Sequence, residues 1–160
     1  MTVGPVIRTA RVDDLPEITR IRTSVRENHL SVEQLAERGI TEETIAIRMR
    51  SGNLGAWVAT IGGAIAAFAM ADKTTGNIFA LFTSPDHEGR GCGSLLLSAC
   101  ENWLHAHGVA TAFLDTDKNS RAVAFYSKRG WTVDHRDLNE VYMKKSIEAL
   151  GASGVLKPGA

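Results

Sequence analysis

The sequence lacks an excess of charge of either sign, and it has few cysteines. Eighteen lysine and arginine residues balance eighteen aspartate and glutamate residues, so the formal net charge is zero. This balance argues against a nucleic acid or an anionic membrane held by charge alone. The two cysteines, Cys92 and Cys100, lie on one predicted helix with a rise of about 12 Å between them. That separation is too large for a disulfide, whose Cα atoms lie within about 7 Å of each other.

Long apolar runs are also absent. No stretch is long enough to cross a bilayer, and the N-terminal segment lacks the apolar core of a signal peptide. Two cysteines without a close-spaced partner make a poor metal site. We therefore expect a cytoplasmic protein that binds no metal, no membrane and no nucleic acid. The 160 residues, 44% of them hydrophobic, are enough for one domain with a sizeable core.

The order of the apolar patterns predicts a mixed sheet with helices on both faces. Apolar residues at helical spacing after Asp14 predict a first helix that extends to Val25. Two apolar runs flank Gly62 and Gly63, a pattern typical of a β-hairpin. We assign residues 1–146 to a single domain and residues 147–160, which are rich in glycine and alanine, to a flexible tail.

Three glycines at alternating positions, Gly89, Gly91 and Gly93, lead from a predicted strand into an apolar helix. Each glycine weakens a helix by about 1 kcal/mol relative to alanine. Glycines also let an anion approach the unpaired amides at the positive end of a helix. The pattern favours a phosphate site, although a tight turn alone would also explain it. In the helix that follows, Glu101 falls on the polar face, opposite the apolar one.

Other phosphate motifs fit this turn less well. A P-loop requires Gly-Lys-Ser/Thr at its end, and none is present. The dinucleotide fingerprint G-x-G-x-x-G fails because Ser94 stands where the third glycine belongs. The glycines therefore need a second motif before they identify a ligand.

That second motif runs from Asn119 to Trp131. It resembles the second signature of the GCN5-related N-acetyltransferase (GNAT) family, and the matching residues are Asn119, Ala122, Phe125, Tyr126, Gly130 and Trp131. The segment 84–97 is similar to the first signature of that family, Q/R-x-x-G-x-G/A after a proline-ended strand. The element order from Val6 to Lys145 also matches, so the resemblance covers nearly the whole chain. It implies a mostly antiparallel sheet of about six to seven strands, flanked by helices on both faces.

The resemblance implies a binding site for acetyl-CoA. The strand at 77–83 would part from its neighbour, so that its exposed backbone pairs with the pantetheine arm. The diphosphate would lie on the amides of the glycine-bearing turn, and Asn119 would contact the pantetheine arm. The expected cofactor-binding residues are Leu81, Phe82, Thr83, Glu88, Gly89, Arg90, Gly91, Cys92, Gly93, Ser94, Asn119, Phe125 and Tyr126.

One position departs from the family pattern. Glu88 stands where the family has glutamine or arginine, and a carboxylate near a diphosphate should repel it. Binding is compatible with this residue if it contributes its backbone N–H while its side chain turns to solvent. Arg90 would then offset the charge.

The resemblance assigns Tyr126 as the catalytic acid that protonates the departing thiolate. Without the motif, the same tyrosine reads as a packing residue beside Phe125. The identity of the general base stays open. Candidates are Glu27 and His29, which flank Asn28 in the segment expected to line the acceptor site, and also Asp72, Asp115 or a water relay.

We therefore predict an acetyl-CoA-dependent N-acetyltransferase that acts on a primary amine of a small molecule or peptide. The amine would attack directly in a ternary complex, and the resemblance is compatible with a homodimer. Two alternatives remain at this point. One is a non-catalytic module on the same fold that binds or senses acyl-CoA. The other is a nucleotide-binding protein that uses the glycine turn.

Overall fold

The computed structural model describes residues 4–149. Its central layer is a seven-stranded sheet, and adjacent strands are antiparallel apart from one parallel pair. The strands are β1 (Val6–Thr9), β2 (Leu54–Ile61), β3 (Ala64–Asp72), β4 (Asn77–Thr83), β5 (Thr111–Asp117), β6 (Thr132–Arg136) and β7 (Glu140–Ser146). They lie side by side in the order β1-β2-β3-β4-β5-β7-β6.

Helices cover both faces of this sheet. They are α1 (Leu15–Arg22), α2 (Val32–Glu37), α3 (Glu42–Ser51), α4 (Cys92–Ala106) and α5 (Ala122–Ser127). The core on the α1 and α3 side includes Ile21 and Phe68, and the core on the α4 and α5 side includes Leu96 and Val141. The predicted mixed, mostly antiparallel sheet with helices on both faces is confirmed.

The parallel pair, β4 and β5, separates soon after it begins. Within the described sheet these strands share one register position, Asn77 opposite Phe113, and the Phe113 amide donates to the Gly76 carbonyl at 2.9 Å. β4 stays paired with β3 on its other side, with a register shift between Met70 and Ala71. Beyond residue 77, the backbone of β4 therefore faces a gap instead of a neighbouring strand.

The first helix ends earlier than its apolar spacing predicts. α1 stops at Arg22, so Val25 lies outside it. The hydroxyl of Thr23 donates to the Thr19 carbonyl at 3.0 Å, and that of Ser24 donates to the Ile21 carbonyl at 2.8 Å. Such local side-chain bonds compete with continued helix, and the chain leaves the helix axis at this point.

Glu101 lies in the core, which corrects the prediction of a solvated polar position. Its side chain is 7% exposed. One carboxylate oxygen accepts from Trp131 Nε1 at 3.0 Å and the other from Lys145 Nζ at 2.8 Å. Helical spacing could not reveal these partners, because Trp131 and Lys145 come from distant parts of the chain. Buried carboxylates of this kind are tolerated only when they are paired.

The C-terminal boundary is described only in part. Ile147, which the sequence analysis assigns to the tail, is buried and donates its amide to the Ala110 carbonyl at 2.9 Å. Residues 150–160 of the predicted tail lie outside the described residues. Among residues 4–149, no helix has both the length and the apolar character that crossing a membrane requires.

Candidate active site

The glycine turn, residues 88–94, leads from a short 3-10 turn into α4. Gly89 and Gly91 adopt left-handed backbone angles, with φ of 77° and 84°, and Gly91 is the N-cap of α4. Glycine adopts such angles without strain. Within residues 4–149, none of the amides from Glu88 to Ser94 donates to an oxygen. This turn therefore has the unpaired N–H groups that an anion requires at a helix N-terminus.

Gly93 has a different role in the same turn. A Cβ atom at this position would lie 3.2 Å from Cζ of Phe125, so glycine allows the α5 aromatic ring to pack closely on the first turn of α4. Ser94, the next residue, accepts hydrogen bonds from Arg129 Nε at 3.0 Å and from Arg129 Nη2 at 2.6 Å. The guanidinium of Arg129 also lies 3.8 Å from the Phe125 ring centroid. Sequence reasoning missed Arg129, although it lies within the second motif.

Glu88 is half-exposed and faces a cation other than the expected one. Arg121 Nη2 lies 3.9 Å from a Glu88 carboxylate oxygen. Arg90, which was expected to offset the charge of Glu88, is exposed and makes no ion pair within the described residues. Arg121, at the N-terminus of α5, therefore compensates the negative charge of Glu88, the residue that departs from the family pattern.

A cavity of about 890 Å³ lies between the first three helices and strands β4, β5 and β7. We call it the central cavity. Seven of the residues singled out from the sequence line it, namely Asn28, His29, Leu81, Phe82, Asp115, Ala122 and Tyr126. Glu27, Asp72, Asn119 and the glycine turn are not among its lining residues.

Tyr126 is both a core residue and a cavity residue. Its ring contacts those of Phe125 and Trp131, at centroid distances of 5.2 Å and 5.9 Å. Its hydroxyl makes no hydrogen bond within residues 4–149. Burial, with a further contribution from the Cys100 thiol, raises the pKa of the Tyr126 phenol. The phenol therefore holds its proton at neutral pH and has a free O–H group.

The segment that contains Glu27 is fastened to the ends of β5 and α5. Glu27 accepts from the Arg121 amide at 2.8 Å and from Arg121 Nε at 2.6 Å. The hydrogen bond from this amide, assisted by the guanidinium, lowers the pKa of Glu27 despite its partial burial. Asn28 has a φ of 58°, and its side chain accepts from the Asp117 amide at 2.8 Å. Glu27 is thus paired with Arg121. Asn28 is held against the end of β5 and forms part of the cavity wall.

The other two proposed bases, Asp72 and Asp115, lie in different parts of the structure. Asp72 pairs with Arg48 at 3.0 Å, outside the central cavity. Asp115 lies inside the cavity on β5 and faces Glu140 of β7, a residue that sequence reasoning missed. Burial and the nearby carboxyls of Asp115 and Asp117 raise the pKa of Glu140 to about 8. A carboxyl that exchanges its proton near neutral pH is suited to general base chemistry.

The described residues contain no grouping of histidine, cysteine, aspartate or glutamate that could hold a metal ion. Both cysteines are free and buried, and burial raises the pKa of the Cys100 thiol. Neither is thus available as a thiolate nucleophile near neutral pH.

Comparison with known proteins gives concordant results. The model of the acetyltransferase (GNAT) family matches residues 15–131. A mycothiol acetyltransferase from Acidimicrobium ferrooxidans is 40% identical over 68 residues, which is 42% of this chain and 22% of that protein. The chain therefore spans only about a fifth of the length of this relative.

Solved structures share the fold at low identity. PaiA N-acetyltransferase from Thermoplasma acidophilum, in complex with coenzyme A, has a TM-score of 0.76 at 18% identity, covering 89% of this chain and 99% of that chain. The ribosomal-protein-S18-alanine N-acetyltransferase from Escherichia coli has a TM-score of 0.68 at 22% identity, with coverages of 89% and 94%.

Proposed function

Because this chain belongs to the acetyltransferase (GNAT) family, we propose that it transfers the acetyl group of acetyl-CoA to a primary amine of a small molecule or peptide in a ternary complex in the cytoplasm. One observation carries the proposal. The strand pair β4 and β5 separates beyond residue 77, the start of α4 has unpaired amides within the described chain and packs on Phe125, and the adjacent Tyr126 lines a cavity together with Glu140.

The residues that are present fit coenzyme A. The amides of residues 88–94 would bind the diphosphate, because they have no competing partner within the described chain. The backbone of Leu81, Phe82 and Thr83 faces the gap and would pair with the pantetheine arm as an added strand does. Acetyl-CoA, when bound, would supply the activated acetyl thioester.

Two side chains would handle the protons of the transfer. Glu140, when ionised, would take a proton from the incoming ammonium group and leave a neutral amine able to attack. Tyr126 would donate its proton to the sulfur that departs, because its raised pKa keeps the phenol protonated and its hydroxyl has no partner within the described residues. Holding both reactants in one cavity would contribute much of the acceleration.

The proposal is tested by separating binding from turnover. We expect calorimetric titration to detect binding of acetyl-CoA and not of ATP or NAD, and a panel of primary amines to release free thiol from bound acetyl-CoA. Binding of acetyl-CoA without thiol release from any amine would favour the sensing module. Binding of ATP or NAD in place of acetyl-CoA would favour a nucleotide-binding protein.

A further inference from the structure

Arg22 lines the central cavity and pairs with no anion within residues 4–149. It is the last residue of α1, and its guanidinium carbon lies 4.0 Å from the centroid of the Phe82 ring. Its Nη1 atom is buried without a hydrogen-bond partner, and its guanidinium makes no ion pair within residues 4–149. Shielding a charge from water without compensation is strongly unfavourable. An anionic group bound beside Arg22 would remove this penalty.

A second arginine, Arg38, lies near Arg22 on the helical wall of the cavity, which is the side formed by the first three helices. Arg38, which follows α2, lines the cavity and repels the charge of Arg22. Burial, followed by Arg38, lowers the pKa of Arg22 to about 10, and Asp117 opposes this shift. Arg22 therefore stays protonated at neutral pH. Arg22 and Arg38 thus bring two positive charges to the helical wall, which also carries Glu42 and Glu43 of α3, and Arg22 itself makes no ion pair within the described chain.

The opposite wall carries the reverse charge. Asp117 and Glu140 are opposite one another in the pairing of β5 with β7, and Asp115 is two residues before Asp117 on the same face. The helical wall and floor of the cavity are lined by large apolar side chains, including Ile18, Leu35 and Phe68. A ligand that matches all three features has a positive end, a negative end and an apolar body.

We propose that the acceptor is an α-amino acid with a bulky apolar side chain, and that Arg22 binds its carboxylate while its amine faces Glu140. This inference rests on the proposed function and narrows the acceptor class of the same site. The phosphates of coenzyme A are a second source of negative charge for Arg22. The experiment therefore measures cofactor affinity as well as acceptor preference.

The test uses pairs of amines that differ only in the carboxylate, L-phenylalanine with phenethylamine and L-leucine with 3-methylbutylamine. With the unaltered protein, we expect kcat/KM from thiol release to be at least tenfold higher for each amino acid than for its paired amine. Arg22→Gln should lower kcat/KM for the amino acids at least tenfold, mainly through KM, and leave the amines within twofold. Arg26→Gln, at an exposed arginine four residues later, is the matched control. It should change kcat/KM neither for the amino acids nor for the amines.

A binding measurement gives a readout that does not depend on turnover. N-acetyl-L-phenylalanine keeps the carboxylate and lacks the basic amine, so its calorimetric affinity for the coenzyme A complex should fall at least tenfold in Arg22→Gln. Arg22→Lys, which retains the charge, should recover part of that affinity, and thermal melting checks that both variants fold.

Three results would overturn the inference. They are equal kcat/KM for amino acids and amines, an equal loss for both in Arg22→Gln, or a loss of coenzyme A affinity in that variant. In each of these cases acetyl transfer to amines itself would persist. Failure of the unaltered protein to bind acetyl-CoA would instead reject the proposed function.

Discussion

Glu140 shows how neighbours along the sheet change the chemistry of one residue. Its carboxyl is partly buried and faces Asp115 and Asp117 across paired strands. Like charges at short range disfavour ionisation, and so does partial removal from water. The pKa of Glu140, raised to about 8, is therefore a consequence of the strand pairing and burial that the fold creates.

The Glu140→Gln variant should alter the pH dependence of stability. The pKa of Glu140 is raised from 4.5 to about 8 on folding. The contribution of Glu140 to the free energy of unfolding is therefore fully present below pH 4.5 and is lost as the pH rises through 8. We expect the variant to gain on the order of 1 kcal/mol over the unaltered protein at pH 9, with little difference near pH 4. Denaturant unfolding at both pH values measures this. Glu33→Gln, at an exposed position, is the control.

The same substitution should lower kcat by about 100-fold if Glu140 accepts the amine proton. The rise of kcat with an apparent pKa near 8, expected of the unaltered enzyme, should disappear in the variant. A variant that keeps both the rate and its pH profile would show that another group, such as Asp115, takes the proton.

Tyr126→Phe should lower kcat by about 100-fold, because the variant lacks the hydroxyl that would protonate the departing sulfur. The dissociation constant of acetyl-CoA, measured by calorimetry, should change by less than about twofold, since the ring is retained. Tyr142→Phe is the matched control, because its hydroxyl donates to Asp137 at 2.9 Å at the rim of the same cavity. An unchanged kcat would remove Tyr126 from the mechanism.

Among the elements, α4 connects the proposed anion site with the core. Its first turn has the unpaired amides that we propose bind the cofactor, whereas its later residues Leu96, Cys100 and Leu104 are completely buried against the sheet. The buried part of the helix fixes the direction of its N-terminus, and with it the orientation of the amides. The left-handed residues before the helix turn the chain so that these groups remain accessible.

Gly91→Ala tests this arrangement, with Gly52→Ala as its matched control. Both glycines have left-handed φ angles, 84° and 83°, and open space around the Cβ position, but Gly52 ends α3 far from the glycine turn. Each substitution should cost about 1–2 kcal/mol of unfolding free energy, since alanine is strained in this conformation. We expect only Gly91→Ala to weaken acetyl-CoA binding, by roughly tenfold. An equal effect of both variants on affinity would contradict the assignment of the amides.

At the scale of the whole molecule, buried polar pairs hold the second half of the sheet against α4. Lys145 of β7 donates to Glu101 of α4 at 2.8 Å and to the Arg129 carbonyl at 2.9 Å, and Trp131 completes the cluster. These contacts connect α4 with β7 and with the end of α5. They therefore help to fix the position of Tyr126, which lies on α5, relative to the glycine turn.

Lys145→Met should destabilise the fold by about 3 kcal/mol, because it leaves the Glu101 carboxylate buried without its cation. Lys144→Met is the control, since Lys144 pairs with Asp134 at the surface, where its side chain is 48% exposed. That control should cost less than about 1 kcal/mol. Denaturant unfolding at neutral pH compares the two, and similar losses would show that the buried pair contributes no more than the surface one.

Local patterns were sufficient for most of the elements. The glycine turn and the helices depend on residues that are close along the chain, so spacing predicted them, whereas the role of Tyr126 came from the resemblance of its motif to the GNAT family and stays a prediction. The family and the fold are confirmed. The early end of α1 was missed because hydroxyl bonds from Thr23 and Ser24 act against its apolar spacing.

The sequence by itself determined which segments form helices and strands, and where an anion could meet a helix N-terminus, because backbone angles and hydrophobic periodicity are local properties. Only the tertiary structure decided which charges share the cavity. Strand register sets Glu140 against Asp117, and the packing of α1 on β4 leaves Arg22 over Phe82 with no ion pair in the part of the chain that the structure describes. Burial then changes their energetics, since the cost of a charge depends on surroundings assembled from distant parts of the chain.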